Sequence, residues 1–229
     1  MEIELIENHF YLINKPSSWT SFDVVKKMKF LGKFKKIGHA GTLDPLATGL
    51  LIVCVGKHTK KIDYFQSLPK TYTGELILGK TTPSIDLETE FDSEYPIDHI
   101  SLELINNTIE KLFKGSIKQI PPIYSAIKLD GKRLYEHARN GVLDSELAIK
   151  IRDAEIYDFQ IDASNFPLIQ FSITCSKGTY IRSIVRDLGV ALNSGAYLNK
   201  LVRTKIGEYC LTDAQEIKSF DPTIYEEIL

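Results

Sequence analysis

The run GHAGTLDPLATG, Gly38 to Gly49, carries one carboxylate, Asp44, among turn-forming residues, and the apolar run LLIVCV follows it at once. An Asp before a proline ordinarily organises a turn by accepting bonds from nearby backbone N–H groups. The surroundings offer a second reading. Glycines at 38, 41 and 49 let a bulky ligand approach the backbone closely. Between Val24 and Ile62 stand nine lysines and this single acid. Such a field favours an ionised carboxylate and draws in a polyanion. A carboxylate held on a turn against a rigid strand can act as a nucleophile.

A nucleophilic carboxylate needs a cation to orient it. Arg182, in KGTYIRSIVRDLG, follows Ile181 and stands three residues before Val185, at the edge of an apolar stripe. That is where an inward-reaching guanidinium sits; the other reading is a surface arginine paired with Asp187 or Glu208. Tyr72, early in an alternating strand, and Tyr180, just before Ile181, are either core residues or platforms for a base. Lys33, Lys35 and Lys36 belong to the lysine cluster, which is either a solvated face or an electrostatic footprint for phosphates.

Other chemistries fall away. The glycine-rich run lacks the Lys-Ser/Thr ending of a phosphate-binding loop and the spacing of a dinucleotide fingerprint. The five histidines, at 9, 39, 58, 99 and 137, show no metal-ligand spacing, so no metal is expected. There is no Gly-x-Ser-x-Gly elbow.

The elements that must position these groups are legible in outline. Phe10–Asn14 reads as a strand ending at Lys15-Pro16. Thr20 or Ser21 caps a helix with Phe22, Val25 and Met28 at helical spacing. Leu50–Val55 reads as a buried strand, Thr59–Phe65 as a short helix and Thr71–Leu78 as a half-buried strand. Ser101 caps a helix with Leu102, Ile105, Ile109 and Leu112 apolar. Gln119 to Gly141 reads as a strand, a turn at Asp130-Gly131 and a helix ended by Asn140-Gly141. Strands follow around Ala148–Phe159 and Pro167–Ser176. Thr179 then opens a helix with Ile181, Ile184, Val185 and Leu188 on one face. A last strand surrounds Leu201–Tyr209, and a short helix is expected after Thr212. Strands and helices mix without βαβ alternation, so the fold class is α+β.

The chain has 229 residues, 43% apolar and 25% charged, an ordinary composition for a soluble protein. No run approaches the ~18 apolar residues of a membrane helix, and the N-terminus lacks a signal-peptide pattern. Cys54, Cys175 and Cys210 are far apart, as reduced cytosolic thiols would be. A cytoplasmic location is expected. The net charge of −2 averages over a segregated chain: from Asp86 to Glu103 there are seven acids and no Lys or Arg.

GHAGTLDPLATGLLIV resembles the catalytic motif of the TruB-type tRNA pseudouridine synthases. KTY at 70–72, QIPPIYSAIKLDGKRLYEHAR at 119–139, CSKGTYIRSIVRDLG at 175–189 and LNKLVRTKIG at 198–207 resemble that family's other motifs, in order, and LINKPSSWTSFDVV its start. The resemblance implies conversion of the uridine at position 55 of the tRNA T loop to pseudouridine. The base is flipped out, detached from C1′, turned and rejoined through C5. It implies that Asp44 is the catalytic carboxylate and that Arg182 pairs with it. Tyr72 contacts the flipped base and is the candidate for moving a proton. Leu201 lines the pocket, and His39 takes part in opening the loop. No cofactor is required. The implied fold is the pseudouridine synthase fold, a mixed, mostly antiparallel sheet flanked by helices.

The expected organisation is a single catalytic domain over 1–229, with an insertion at about 80–145 that grips the T arm. The active cleft is expected where the 38–49 loop, Tyr72 and Arg182 meet. Roughly twenty residues follow the last motif, too few for the C-terminal PUA domain of many relatives. Two positions depart from the family pattern: Pro83 stands where it has Asp, and Val202 where it has Arg. The expected partner is tRNA, bound through its T arm by a monomer without a protein partner. A tRNA-folding chaperone activity is the competing or accompanying function.

Overall fold

The computed structural model describes residues 9–129, 131–140, 142 and 147–225. In chain order the first elements are β1 (Phe10–Lys15), α1 (Ser21–Leu31), β2 (Ile37–His39), β3 (Thr48–Val55), α2 (Ile62–Ser67) and β4 (Lys70–Leu78). Then come β5 (Lys80–Thr81), β6 (Ser93–Glu94), α3 (Leu102–Leu112), β7 (Gly115–Gln119), β8 (Lys128–Leu129), β9 (Lys132–Arg133) and α4 (Leu134–Arg139). The last are β10 (Arg152–Asn165), β11 (Leu168–Cys175), α5 (Ile181–Ala191), β12 (Ala196–Ile206), β13 (Tyr209–Cys210) and β14 (Gln215–Glu216). The expected turn at Asp130-Gly131 and the helix stop at Asn140-Gly141 include Asp130 and Gly141, which lie outside the described residues. Contacts divide the chain into two compact units, Met1–Thr73 with Lys200–Leu229, and Gly74–Asn199.

In the first unit β3 is central. β1 runs antiparallel to it, from Phe10 opposite Cys54 to Lys15 opposite Gly49. β12 runs parallel to it, with Val202 opposite Thr48 and Arg203 opposite Gly49. β2 is antiparallel to β3, and β14 joins the far side of β1 in parallel. Two apolar clusters explain why LLIVCV is continuous rather than alternating. Leu51, Val53 and Val55 pack with Tyr11, Ile13, Val24, Val25 and Met28. Leu50, Ile52 and Cys54 pack with Phe10, Leu12 and Phe65. A strand covered on both faces needs apolar residues at every position.

α1 begins as its sequence indicates. The Thr20 side chain accepts from Asp23 N, and Asp23 Oδ2 accepts from Thr20 N at 2.9 Å, a reciprocal cap. The buried face differs from the expected one. It consists of Ser21, Val24, Val25 and Met28, whereas Phe22 is exposed. Those four follow the i, i+3, i+4, i+7 stripe of a helix on a core, and that stripe leaves Phe22 outside.

In the second unit β10 and β11 form a long antiparallel hairpin, with Phe159 opposite Ile173, and β7 pairs antiparallel with β10. α3 and α5 touch each other, and their buried residues include Ile105 and Ile109, and Ile181, Ile184, Val185 and Leu188. Ser101 caps α3 by accepting from Leu104 N at 3.1 Å. Leu102 and Leu112, expected on its apolar face, are exposed.

The helix expected after Thr212 is replaced by a 3-10 turn at Leu211–Asp213, then β14 and a second 3-10 turn at Ile217–Ser219. β14 exists because β1 offers an open edge, with Ile13 opposite Gln215 and Asn14 opposite Glu216. That pairing lies beyond the reach of local periodicity.

Candidate active site

Asp44 sits between Leu43 and Pro45 on a loop fastened on both sides. Leu43 N donates to Ser21 Oγ at 2.9 Å, at the first residue of α1. Pro45 O accepts from Ser18 N at 2.9 Å and from Lys15 Nζ at 3.1 Å. Ala47 N closes a turn onto Asp44 O at 3.1 Å. The loop enters β3 at Gly49, whose φ is +104°, and a Cβ there would strike the Arg203 backbone. Glycine at 49 is therefore demanded by a close approach of two strands.

Two buried cations underpin this loop, and neither was singled out in the sequence. Lys15 is fully buried, and its ammonium donates to the carbonyls of Trp19 (2.6 Å), Pro16 (3.0 Å) and Pro45 (3.1 Å). Burial pulls Lys15 down to about 8, and nearby Arg203 pulls the same way while the Asp44 carboxylate opposes. Arg203 is 1% exposed, with Nε donating to Leu50 O at 2.8 Å and Nη2 to Gly41 O at 3.1 Å. The cue for Arg203 was present: it alternates with Leu201 on β12, and Leu201 is also buried. For Lys15 the cue was its place at the end of the apolar strand FYLINK.

His39 lies on β2, partly buried, opposite Val53. Burial and the Arg203 charge lower its pKa below the usual histidine range. Its Nδ1 is buried with no hydrogen-bond partner among the described residues. Tyr72 is nearly buried on β4. Its strand is pinned two residues earlier by Lys70, whose ammonium donates to Gln66 O, Leu68 O and Phe65 O at 2.5, 2.6 and 3.2 Å, at the end of α2. The Lys of KTY is thus a helix C-terminal anchor, a cation on carbonyls at the negative end of the helix. Lys33, Lys35 and Lys36 are all exposed between α1 and β2.

In the second unit Arg182 is not a surface residue. It is 3% exposed, in the first turn of α5, and donates to Ser84 O at 3.0 Å and Tyr124 O at 2.8 Å. Its Nε stands 3.8 Å from Asp86 Oδ2. Arg186 takes the place the surface reading gave Arg182, pairing with Asp187 at 2.8 Å. The loop holding Asp86 is built around it: Thr82 and Ser84 hydroxyls donate to Asp86 O, and Glu88 N donates to Asp86 Oδ1. Tyr180 is partly buried and stands at the N-cap position of α5 without a capping bond from its side chain. Gln119 grips its backbone at both polar atoms, accepting from Tyr180 N at 3.0 Å and donating to Tyr180 O at 3.2 Å.

The first unit thus holds a carboxylate on a clamped loop, and the second, taken by itself, holds a buried guanidinium whose plane is fixed by two carbonyls. The model of the TruB family pseudouridylate synthase N-terminal domain matches residues 27–181. The tRNA pseudouridine synthase B of Flavobacterium johnsoniae is 50% identical over 228 residues, covering 96% of this chain and 98% of that relative. That of Phocaeicola vulgatus is 47% identical over 220 residues, covering 93% and 92%. Among solved structures, a chain of a Cbf5-Nop10-Gar1 complex superposes with a TM-score of 0.69 at 24% identity. The match covers 95% of this chain and 54% of the solved one, so the present chain spans about half its length, and the likeness is one of fold.

Proposed function

We propose a function from one premise: the chain belongs to the TruB family of pseudouridylate synthases. The reaction is isomerisation of uridine to pseudouridine in tRNA. The C1′–N1 bond breaks, a C1′–C5 bond forms, the C5 proton leaves and N1 gains a proton. The atoms balance without an oxidant or a second substrate.

The finer assignment is the uridine at position 55 of the T loop, which the resemblance of GHAGTLDPLATG to the family's catalytic motif implies; the observation that supports Asp44 as the reacting group is its clamped loop. Its neighbours Leu43 and Pro45 are held by Ser21, Ser18 and Lys15, so the carboxylate needs little reorganisation to meet a flipped nucleotide. In this reading Asp44 is the catalytic carboxylate, on which breaking of the C1′–N1 bond depends, and Arg182 is the cation that orients it. Tyr72 contacts the base and moves a proton, and Leu201 lines the pocket. His39 helps to open the RNA loop, and Tyr180 offers a stacking face. Lys33, Lys35 and Lys36 neutralise phosphates. The segment at about 80–145 grips the T arm of tRNA bound by a single chain.

The test is direct. Incubate the protein with an unmodified tRNA transcript and map pseudouridine. Modification at position 55, abolished by Asp44→Asn, is expected. Modification elsewhere, or persistence in the variant, refutes the assignment. A chaperone reading predicts instead that Asp44→Asn leaves no functional deficit.

A further inference from the structure

We propose that the outward face of α1 is a platform for unpaired nucleotides of the tRNA substrate, with bases stacked on Phe22 and Phe30 and phosphates held by Lys26, Lys29 and Lys33. The proposal rests on the function proposed above and adds a binding surface outside the residues named there, Lys33 excepted.

Phe22 is 67% exposed and Phe30 78%, among the most exposed large apolar side chains described. Single exposed apolar residues are ordinary; here two aromatic rings share one face. At about 100° per residue, Phe22, Lys26, Lys29 and Phe30 fall within about a third of the helix circumference. The opposite side carries the buried Ser21, Val24, Val25 and Met28. Lys33 follows just past the helix end, with a φ of +52°. Lys26, Lys29 and Lys33 are all exposed. The one acid of the helix, Asp23, is engaged at the cap by Thr20 N and Thr20 Oγ1.

Rings interleaved with lysines fit a nucleic-acid strand, because every base has a π-face and every nucleotide a phosphate. The rings stand about 12 Å apart along the axis, far more than the ~3.4 Å rise between stacked bases. They therefore suit bases splayed along an opened strand rather than neighbours within a duplex. A lysine-studded face with two separated rings also lacks the continuous apolar stripe of a membrane-surface helix.

The face is coupled to the site. Ser21, next to Phe22, bonds both backbone atoms of Leu43, accepting from N at 2.9 Å and donating to O at 3.4 Å. Leu43 precedes Asp44. An RNA strand laid on α1 is thereby held at a set distance from the carboxylate.

The experiment measures Kd of the whole protein for an unmodified tRNA transcript across a salt series. Light scattering gives the oligomeric state, and pseudouridine is assayed in parallel. The variants are Phe22→Ala/Phe30→Ala, Phe22→Tyr/Phe30→Tyr and Lys26→Ala/Lys29→Ala. The alanine pair should weaken binding at least tenfold at every salt concentration, with the salt slope unchanged, since stacking releases no counterions. The tyrosine pair, which keeps the rings, should restore wild-type affinity. The lysine pair should flatten the slope by about 0.7 per lysine. An alanine pair with wild-type Kd overturns the proposal. So does one that changes oligomeric state while binding RNA normally, which makes the face a contact between copies. A wild type that binds the transcript but forms no pseudouridine refutes the proposed reaction alone, because the stacking arm is read from binding.

Discussion

The guanidinium of Arg203 reaches from β12 to the carbonyl of Gly41 at 3.1 Å, three residues before Asp44. Its Nε bonds Leu50 O at 2.8 Å, so one side chain ties together the two ends of the loop that carries the carboxylate. A planar fork can satisfy two carbonyls at once in a way a flexible ammonium cannot. Arg203→Met should destabilise the protein by about 2–4 kcal/mol, because two carbonyls lose a charged donor in a buried setting. Urea unfolding measures the loss. A change below about 0.5 kcal/mol, the usual surface value, would show that the two bonds of the brace contribute little to stability.

Gly49→Ala tests the same junction from the backbone. Its φ of +104° and the Arg203 backbone facing its missing Cβ leave no relaxed place for a methyl group. The expected cost is about 1–3 kcal/mol. Gly178→Ala is the control, since it shares a positive φ but has open space around it. A thermal melt should show the Gly49 variant lower than the Gly178 variant.

Arg182→Lys should not be conservative. The arginine places Nη1 on Ser84 O and Nη2 on Tyr124 O, with Nε 3.8 Å from Asp86 Oδ2. A lysine cannot reproduce that geometry. With Arg182 as the orienting cation, the single-turnover rate should fall roughly ten- to a thousand-fold, about 1.4–4 kcal/mol of transition-state stabilisation. A wild-type rate would leave Arg182 a purely structural residue.

Lys15 gives the protein a pH signature. Its folded pKa lies near 8, below the ordinary 10.5, chiefly through burial. Between those values the unfolded chain holds a proton that the folded chain has shed, so this group makes stability rise with pH across about 8 to 10.5. Below 8 both states hold the proton and the contribution is flat. Lys15→Met should remove that slope, read as the difference in urea midpoint between pH 7.5 and pH 10. His39, also depressed by burial, works at lower pH: its contribution is lost as pH falls below the ordinary histidine value of 6.5.

Lys33, Lys35 and Lys36 are exposed. If they neutralise phosphates, changing all three to Ala should weaken tRNA binding across sequences and lower the salt slope by about 0.7–0.9 per contact. An isolated T-arm stem-loop should be modified nearly as well as whole tRNA. An unchanged slope would make the three lysines a solvated face.

Much of this protein is decided locally. Thr20 and Asp23 cap α1 because a hydroxyl and a carboxylate three residues apart can satisfy each other's backbone amides wherever the helix lies. The Asp44 loop is legible because Gly, Thr and Pro act on their own backbone. The apolar run behind it reads as a buried strand by composition alone. Charge segregation and the order of motifs are properties of the chain. Tertiary structure decided the rest. Phe22 and Val25 both fit a helical period, and only the position of β3 and its neighbours selected the stripe that turned Phe22 outward. Arg182 was readable as surface or interior, and burial was settled by carbonyls 98 and 58 residues away, at Ser84 and Tyr124. Lys15 and Arg203 belong to residue types that normally seek water. Arg203 is buried because non-local folding brought the Gly41 and Leu50 carbonyls to it, and Lys15 because the distant Pro45 carbonyl joins the nearby carbonyls of Pro16 and Trp19 around its ammonium. β14 formed in place of a helix because an open strand edge of β1 was within reach. Local propensity is a property of a few neighbouring residues, whereas the partner of a buried polar group is chosen by the whole chain.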